Sequence, residues 1–364
     1  MARKIRDGLL ALCLMLAGTV QALQLEKVAS IEGIPWGMAF INGQEMLVTA
    51  RAGQLYRVNL VTGARQSVSG VPQVHANGQG GLLDVAVADD SDWIYFTYSS
   101  TNSDGEGITT LGRAKLDGSS LKQWQVLLAT RSGSDTGRHF GSRIAFDGQG
   151  HVFFSLGDRG VRENGQDLTT HAGSILRLNL DGSVPKDNPF VGKRIDGVEP
   201  LPEIWSYGHR NPQGLYFDAP TGELWSIEHG PRGGDEINLI EKGKNYGWPV
   251  VSHGQEYWGP FDVGEAKSKP EMEDPRKVYV PSIAPSGLVR YRGDKFPDWQ
   301  GDLFSGAMKL THLNRVELDE QGQAVGEERL LTELGQRIRN VIQDSEGYLY
   351  VATDNGHIYR LRPD

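Results

Sequence analysis

Ile144-Ala-Phe-Asp-Gly, His151-Val-Phe-Phe-Ser and Ser174-Ile-Leu-Arg-Leu-Asn make the clearest copy of a phrase that recurs through the chain. It runs apolar strand, Gly/Asp turn, strand rich in aromatic and β-branched residues, polar loop, then a strand ending in Arg or an acidic turn. Short alternating runs between turn formers specify strands. The phrase occurs earlier as Met38-Ala-Phe-Ile-Asn-Gly, Met46-Leu-Val-Thr and Gln54-Leu-Tyr-Arg-Val. It returns as Asp84-Val-Ala-Val, Trp93-Ile-Tyr-Phe-Thr and Gly112-Arg-Ala-Lys-Leu-Asp-Gly. The fourth copy is Leu215-Tyr-Phe-Asp, Glu223-Leu-Trp-Ser-Ile and Asp235-Glu-Ile-Asn-Leu-Ile. A looser fifth is Leu288-Val-Arg-Tyr, Asp302-Leu-Phe-Ser and His312-Leu-Asn-Arg-Val, and the sixth is Val341-Ile-Gln-Asp, Tyr348-Leu-Tyr-Val-Ala-Thr and His357-Ile-Tyr-Arg-Leu.

A sheet in such an array buries its faces only against its neighbours, so six copies predict radial repetition. The expected fold is all-β, a six-bladed β-propeller with four-stranded antiparallel blades. Glycine-rich turns would equally suit a β-sandwich or a parallel β-helix; the count of six separates them. The spare strand Leu25-Glu-Lys-Val-Ala-Ser is expected to complete the last blade and close the ring, leaving no open edge. Uneven spacing between copies predicts long loops gathered at one rim, where function concentrates.

Residues 1–22 read as a signal peptide. Arg3, Lys4 and Arg6 form a basic start, Leu9 to Leu16 is an apolar run too short to span a bilayer, and Val20-Gln-Ala ends on a small residue. Residues 23–364 are then expected to form a single propeller domain, since no Pro/Ser-rich linker divides them. The only cysteine, Cys13, lies in the leader, so the mature chain has no disulfide, thiolate nucleophile or Cys-bound zinc. The chain has a net charge of −9, more negative still without its leader, which opposes nucleic-acid binding. A soluble, exported, periplasmic or secreted protein without a membrane span is expected.

Four loop clusters carry groups suited to chemistry. Gly78-Gln-Gly-Gly-Leu-Leu-Asp84 sets Gln79 among glycines that let backbone approach a ligand, although, alone, a plain turn is the simpler account. His139, between Arg138 and Phe140, offers a side chain able to take a hydroxyl proton near neutral pH; alone, a structural histidine is the simpler account. Trp205-Ser-Tyr-Gly-His-Arg-Asn-Pro-Gln-Gly-Leu supplies several donors from Arg210, Asn211 and Gln213. In Glu228-His-Gly-Pro-Arg-Gly-Gly-Asp-Glu-Ile-Asn, backbone carbonyls at Gly230 and Pro231 and the carboxylates of Asp235 and Glu236 form an oxygen-rich set. Such a set favours calcium over zinc. Lys309 and Arg337-Ile-Arg339 add basic groups, the last two on one face of an extended segment.

Taken together with Lys244-Asn-Tyr-Gly-Trp-Pro, these motifs make the chain similar to the pyrroloquinoline quinone (PQQ)-dependent soluble glucose and sorbosone dehydrogenase family, especially its smaller aldose sugar dehydrogenases. The resemblance spans nearly the whole mature chain. It implies oxidation of aldoses at C1 to the lactone, with hydride passing to C5 of PQQ, His139 as the catalytic base and Arg210 polarising the C5 oxygen. It implies further cofactor contacts from Gln79 and Asn211, carboxylate binding by Lys309, Arg337 and Arg339, and a contact from Tyr257. Gly230 and Pro231 match carbonyls on a cofactor calcium, and Glu236 and Tyr246 match part of a second, structural calcium site. Electrons would leave to an external acceptor. Two departures bear on specificity. Arg138 stands where the larger glucose-type members carry an acid, and the long insertions that build their dimer interface and sugar pocket are missing. A monomer with a shallow pocket for mono- and disaccharide aldoses is therefore expected. Competing functions are a calcium-dependent sugar lactonase and a non-catalytic binding propeller. The lactonase reading leaves the basic trio Lys309, Arg337 and Arg339 without a task.

Overall fold

The computed structural model describes residues 23–88 and 91–364. The signal-peptide reading and Cys13 lie outside them. Six four-stranded antiparallel sheets stand in a ring, forming a six-bladed propeller, and the helical elements among the described residues are short 3-10 turns such as Arg162–Gln166. The innermost strands of blades one to six are Pro35–Asn42, Leu82–Val87, Ile144–Phe146, Pro212–Asp218, Pro285–Arg290 and Ile338–Gln343. Each coincides with the first strand of a repeat.

Packing between blades explains why the sequence repeats. Six separate apolar clusters fill the six gaps between neighbouring sheets. One joins Phe96 and Leu82 of blade two to Leu47 and Leu55 of blade one, and another joins Phe304 and Val289 of blade five to Val341 and Val351 of blade six. Ring closure rests on Met46, Val48 and Met38 of blade one against Tyr350, Ala352 and Ile358 of blade six. Fully buried side chains of this size each contribute roughly 1.5–3 kcal/mol. The N-terminal strand Leu23–Ser30 pairs antiparallel with His357–Pro363, Leu25 opposite Leu361, as the outermost strand of blade six. The first and last described strands thus share one sheet, and closure is a matter of backbone hydrogen bonds as well as packing.

Antiparallel order places the start of each innermost strand, and each turn from second to third strand, on the same rim. The segments carrying Gln79, His139, Arg210 and Arg337 enter innermost strands, while those carrying Gly230 and Lys309 follow second strands. Topology alone brings them to one end of the ring.

Candidate active site

His139 is held in an uncommon backbone conformation, with φ at +56°. Two contacts impose it. The His139 amide donates to Oε1 of Gln79 at 2.8 Å. Fully buried Arg159 lies over the Phe140 ring at 3.5 Å and donates to the carbonyls of Arg138, Ser132, Thr136 and Gly107. One guanidinium thereby ties Ser132, Thr136 and Arg138 of the preceding loop to Gly107 of the neighbouring strand.

The imidazole is oriented as firmly. Its Nδ1 lies 2.6 Å from Oδ1 of Asp158. That buried carboxylate also accepts from the Gly160 amide at 2.7 Å and from the Trp248 indole at 2.8 Å. A carboxylate accepting from three donors fixes the tautomer with the proton on Nδ1, which leaves the Nε2 lone pair free. Burial pulls the ring below the ordinary histidine range, and Arg210 and Arg138 pull the same way against Asp158. The ring is therefore neutral and basic near pH 7.

Asp158 and Trp248 had no role assigned from the sequence. A signal existed for the first. Asp158-Arg-Gly follows the second strand of blade three, and Asp354-Asn-Gly occupies the same turn of blade six. Asp354 is equally telling, for it gathers Arg337 and Arg339. Arg339 donates through Nε and Nη2 at 2.8 and 2.9 Å, and Arg337 through Nε at 2.7 Å. The expectation that both guanidinium groups share a face holds, with Arg337 half exposed and Arg339 mostly buried. Arg337 also donates to the carbonyl of Met308, beside exposed Lys309. Arg337 and Arg339 thus meet at one carboxylate, and the Met308 carbonyl brings the neighbouring residue Lys309 to the same side of Arg337.

Arg210 sits between the base and the Gly230 loop. Its guanidinium lies 5.3 Å from the Trp248 ring centre and donates to the carbonyls of His229 and Gly230 at 3.1 and 2.8 Å. Its backbone carbonyl accepts from the Asp158 amide at 2.8 Å. Asn211 accepts through Oδ1 from the Gly141 amide, two residues past His139, at 3.2 Å. His139, Gln79, Arg210, Asn211 and Gly230 therefore form one connected group. Tyr257 does not join it through any side-chain hydrogen bond among the described residues, and it stands 67% exposed on the rim.

The oxygen-rich loop is held largely by its own side chains. Asp235 is buried and accepts from Gly230 N, Ser282 Oγ, Ile283 N and Ala284 N, at 3.0, 2.7, 2.8 and 3.0 Å. Burial raises its carboxyl to about 6 against these bonds. These four interactions tie Asp235 to the Gly230 amide and to the Ser282–Ala284 segment and so shape the loop. The Tyr246 hydroxyl is likewise committed, donating to Leu239 O at 2.6 Å and accepting from Glu241 N at 2.8 Å, while its ring stacks on His209 at 4.7 Å. Glu236 and Tyr246 do line the same small chamber, together with Arg210, Glu228 and Trp248. Burial pushes the Glu236 carboxyl well up, and the charge of Glu228 pushes it further.

Residues 33–360 match the glucose/sorbosone dehydrogenase family. The chain belongs to that family. It is 42% identical over 340 residues to the aldose sugar dehydrogenase YliI of Escherichia coli strain K12, covering 90% of each chain. The solved apo-form of the soluble aldose sugar dehydrogenase from Escherichia coli superimposes with a TM-score of 0.88 at 38% identity, covering 94% of this chain and 99% of that one. A PQQ-bound aldose sugar dehydrogenase from Streptomyces coelicolor gives 0.77 at 26% identity, over 94% and 99%. This glucose/sorbosone dehydrogenase family member carries on one rim His139 held by Asp158, Arg210 beside the Trp248 indole, and the Arg337–Arg339 pair on Asp354.

The donor set fits a planar polyanion. Lys309, Arg337 and Arg339 can hold carboxylates, and the Arg210 guanidinium can meet a ring oxygen. Calcium fits less completely. No group of three or more His, Cys, Asp or Glu side chains among the described residues could hold a metal. The backbone carbonyls of Gly230 and Pro231 are the groups that would hold a calcium at this loop.

Proposed function

We propose that this protein is a PQQ- and calcium-dependent aldose sugar dehydrogenase that oxidises the C1 hydroxyl of aldoses, mono- and disaccharides alike, to the lactone. The reading includes export as a 23–364 monomeric domain and transfer of both electrons to an external acceptor. When bound, PQQ would supply the two-electron acceptor, with calcium as a Lewis acid beside it.

What carries the reading is the 2.6 Å contact of His139 Nδ1 with Asp158. Hydride can leave C1 only as the hydroxyl proton leaves, and the free Nε2 of His139 is placed to take it. Asp158 then faces an imidazolium, whose charge it stabilises while Trp248 and Gly160 hold it in place. Arg210 is anchored by backbone carbonyls and needs no reorganisation as charge develops nearby. Lys309, Arg337 and Arg339 bind and orient. Gln79, Asn211 and Tyr257 are proposed further contacts to the cofactor, Gly230 and Pro231 the carbonyls on its calcium, and Glu236 with Tyr246 part of a structural calcium site.

Apo-protein supplied with PQQ, Ca²⁺ and an aldose should reduce an artificial dye. PQQ with chelator, Ca²⁺ alone, or NAD should not. Equal activity with NAD alone, or hydrolysis of a sugar lactone without PQQ, would reject this function.

A further inference from the structure

Arg143 precedes the innermost strand of blade three, and its guanidinium uses all five N–H groups. Nε donates to the carbonyl of Gln213 at 2.8 Å. Nη1 donates to the carbonyl of Trp36 at 3.1 Å and to Oδ1 of Asp84 at 3.2 Å. Nη2 donates to Ser286 Oγ at 3.3 Å and to the carbonyl of Arg339 at 3.0 Å. These acceptors belong to the innermost strands of blades four, one, two, five and six. One side chain is therefore bonded to every other blade of the ring.

Its surroundings leave no slack. The guanidinium lies 4.0 Å from the centre of the Trp36 ring, and Trp36 packs with Leu83 and Phe140, the neighbour of His139. Both Arg143 and Asp84 are buried, and Asp84 also accepts from the Ile144 amide at 3.0 Å. Burial lowers the guanidinium to about 10 against the charge of Asp84, so it stays ionised at neutral pH. Beyond it toward the opposite face, an axial cavity of about 370 Å³ is lined by Phe40, Val87, Tyr216 and Ile342, with Arg143 at its boundary.

Three of the five bonds lead to the candidate active site. The Arg339 carbonyl takes a second bond from Ser286 Oγ at 2.5 Å, which fixes the backbone of a clamp residue. Gln213, whose carbonyl Arg143 holds, donates through Nε2 to the Gly141 carbonyl at 2.9 Å, and Gly141 in turn meets Asn211. Trp36 supports Phe140 directly beside the base.

We propose that Arg143 is the axial hub of the ring and a positioning residue for the cofactor cradle. It sets the relative placement of the Arg339 clamp, Asn211 and the His139 segment, and it seals the rim from the axial cavity. A planar, five-donor fork can reach five strands at once, whereas an ammonium of the same charge has three donors at one point. The cradle part of this inference rests on the PQQ reading above; the hub part does not.

The test compares R143K with R290K, which alters another buried arginine, bonded to Asp218, Glu223 and Gly301 at the far end of the blade-five strand. Amide hydrogen exchange should rise at innermost strands of all six blades in R143K, and only around blades four and five in R290K. PQQ titrated into the apo-proteins should bind R143K at least about tenfold more weakly than wild type, with R290K unchanged. Exchange confined to blade three would overturn the hub. Wild-type PQQ affinity in R143K, or an equal loss in R290K, would overturn the positioning role. If R143K fails to accumulate folded, S286A carries the test, since it removes one link between Arg143 and Arg339. A few-fold loss of PQQ affinity is expected there, and none would reject the proposal. Should wild type bind no PQQ, the cofactor reading fails while the exchange pattern still decides the hub.

Discussion

Nδ1 of His139 and Oδ1 of Asp158 lie 2.6 Å apart, although they are 19 positions and two β-strands apart in the chain. The strand His151–Ser155 returns the backbone to the rim, and the turn after it delivers Asp158 to the ring nitrogen. The consequence is a division of labour. Asp158 holds one nitrogen so that the other is available.

His139→Ala should lower the rate of cofactor reduction by roughly 10²–10⁴, the range for a lost general base. PQQ affinity should change little, because Lys309, Arg337 and Arg339 are untouched. Asp158→Asn should also slow reduction, since an amide can hold the wrong tautomer. Stopped-flow reduction of preloaded PQQ by an aldose measures both. A near wild-type rate in His139→Ala would move the base elsewhere, with His209 and His229 next to try.

The pH profile follows from the environment of His139. The base works only when neutral, and burial holds its pKa below the ordinary histidine value of about 6.5. The acid limb of kcat/KM should therefore fall below pH 6.5. Asp158 opposes this lowering, so in Asp158→Asn the residual activity should show its acid limb at still lower pH. A limb that moves upward in that variant would contradict the assignment.

Arg337→Ala should weaken PQQ binding about tenfold, equivalent to about 1.4 kcal/mol, while hydride transfer at saturating PQQ stays close to wild type. The side chain is half exposed, so the loss should be smaller than for a fully buried charge pair. Titration by tryptophan fluorescence gives the affinity, and single-turnover kinetics give the rate. A large rate defect with unchanged affinity would place Arg337 in the chemistry instead.

Glu236 gives a calcium test with a defined sign. Its folded-state pKa is raised by burial and by Glu228. The folded chain thus binds this proton more tightly than the unfolded chain. The resulting stability is complete below the unfolded carboxylate value and is lost as pH rises toward the folded one. In chelator, Glu236→Gln should melt higher than wild type at pH 8 and near it at pH 4. Added Ca²⁺ should raise the melting temperature of wild type and not of the variant. A calcium shift that survives in Glu236→Gln would remove this residue from any metal site.

The sequence by itself determined the ring. Strand patterning repeats six times with apolar residues such as Val152 and Phe154 at fixed places, and local propensity agrees with the packing each blade needs. It also determined the spare N-terminal strand, because an unpaired edge beside a chain end has few other partners. The chemical types at the rim, from His139 to Arg339, were legible as motifs for the same reason: each lies within a few residues of a strand boundary.

Only tertiary structure decided how those groups are used. Asp158 on His139, Asp354 between Arg337 and Arg339, and the saturation of Asp235 all depend on side chains that meet across turns. Arg143 is the extreme case, since its five acceptors span residues 36 to 339 and four of them are backbone carbonyls or a serine hydroxyl. A carbonyl looks the same at every position of a sequence. Which one faces a guanidinium is set by the distance between strands after the ring has closed, and that distance is a property of the packed fold.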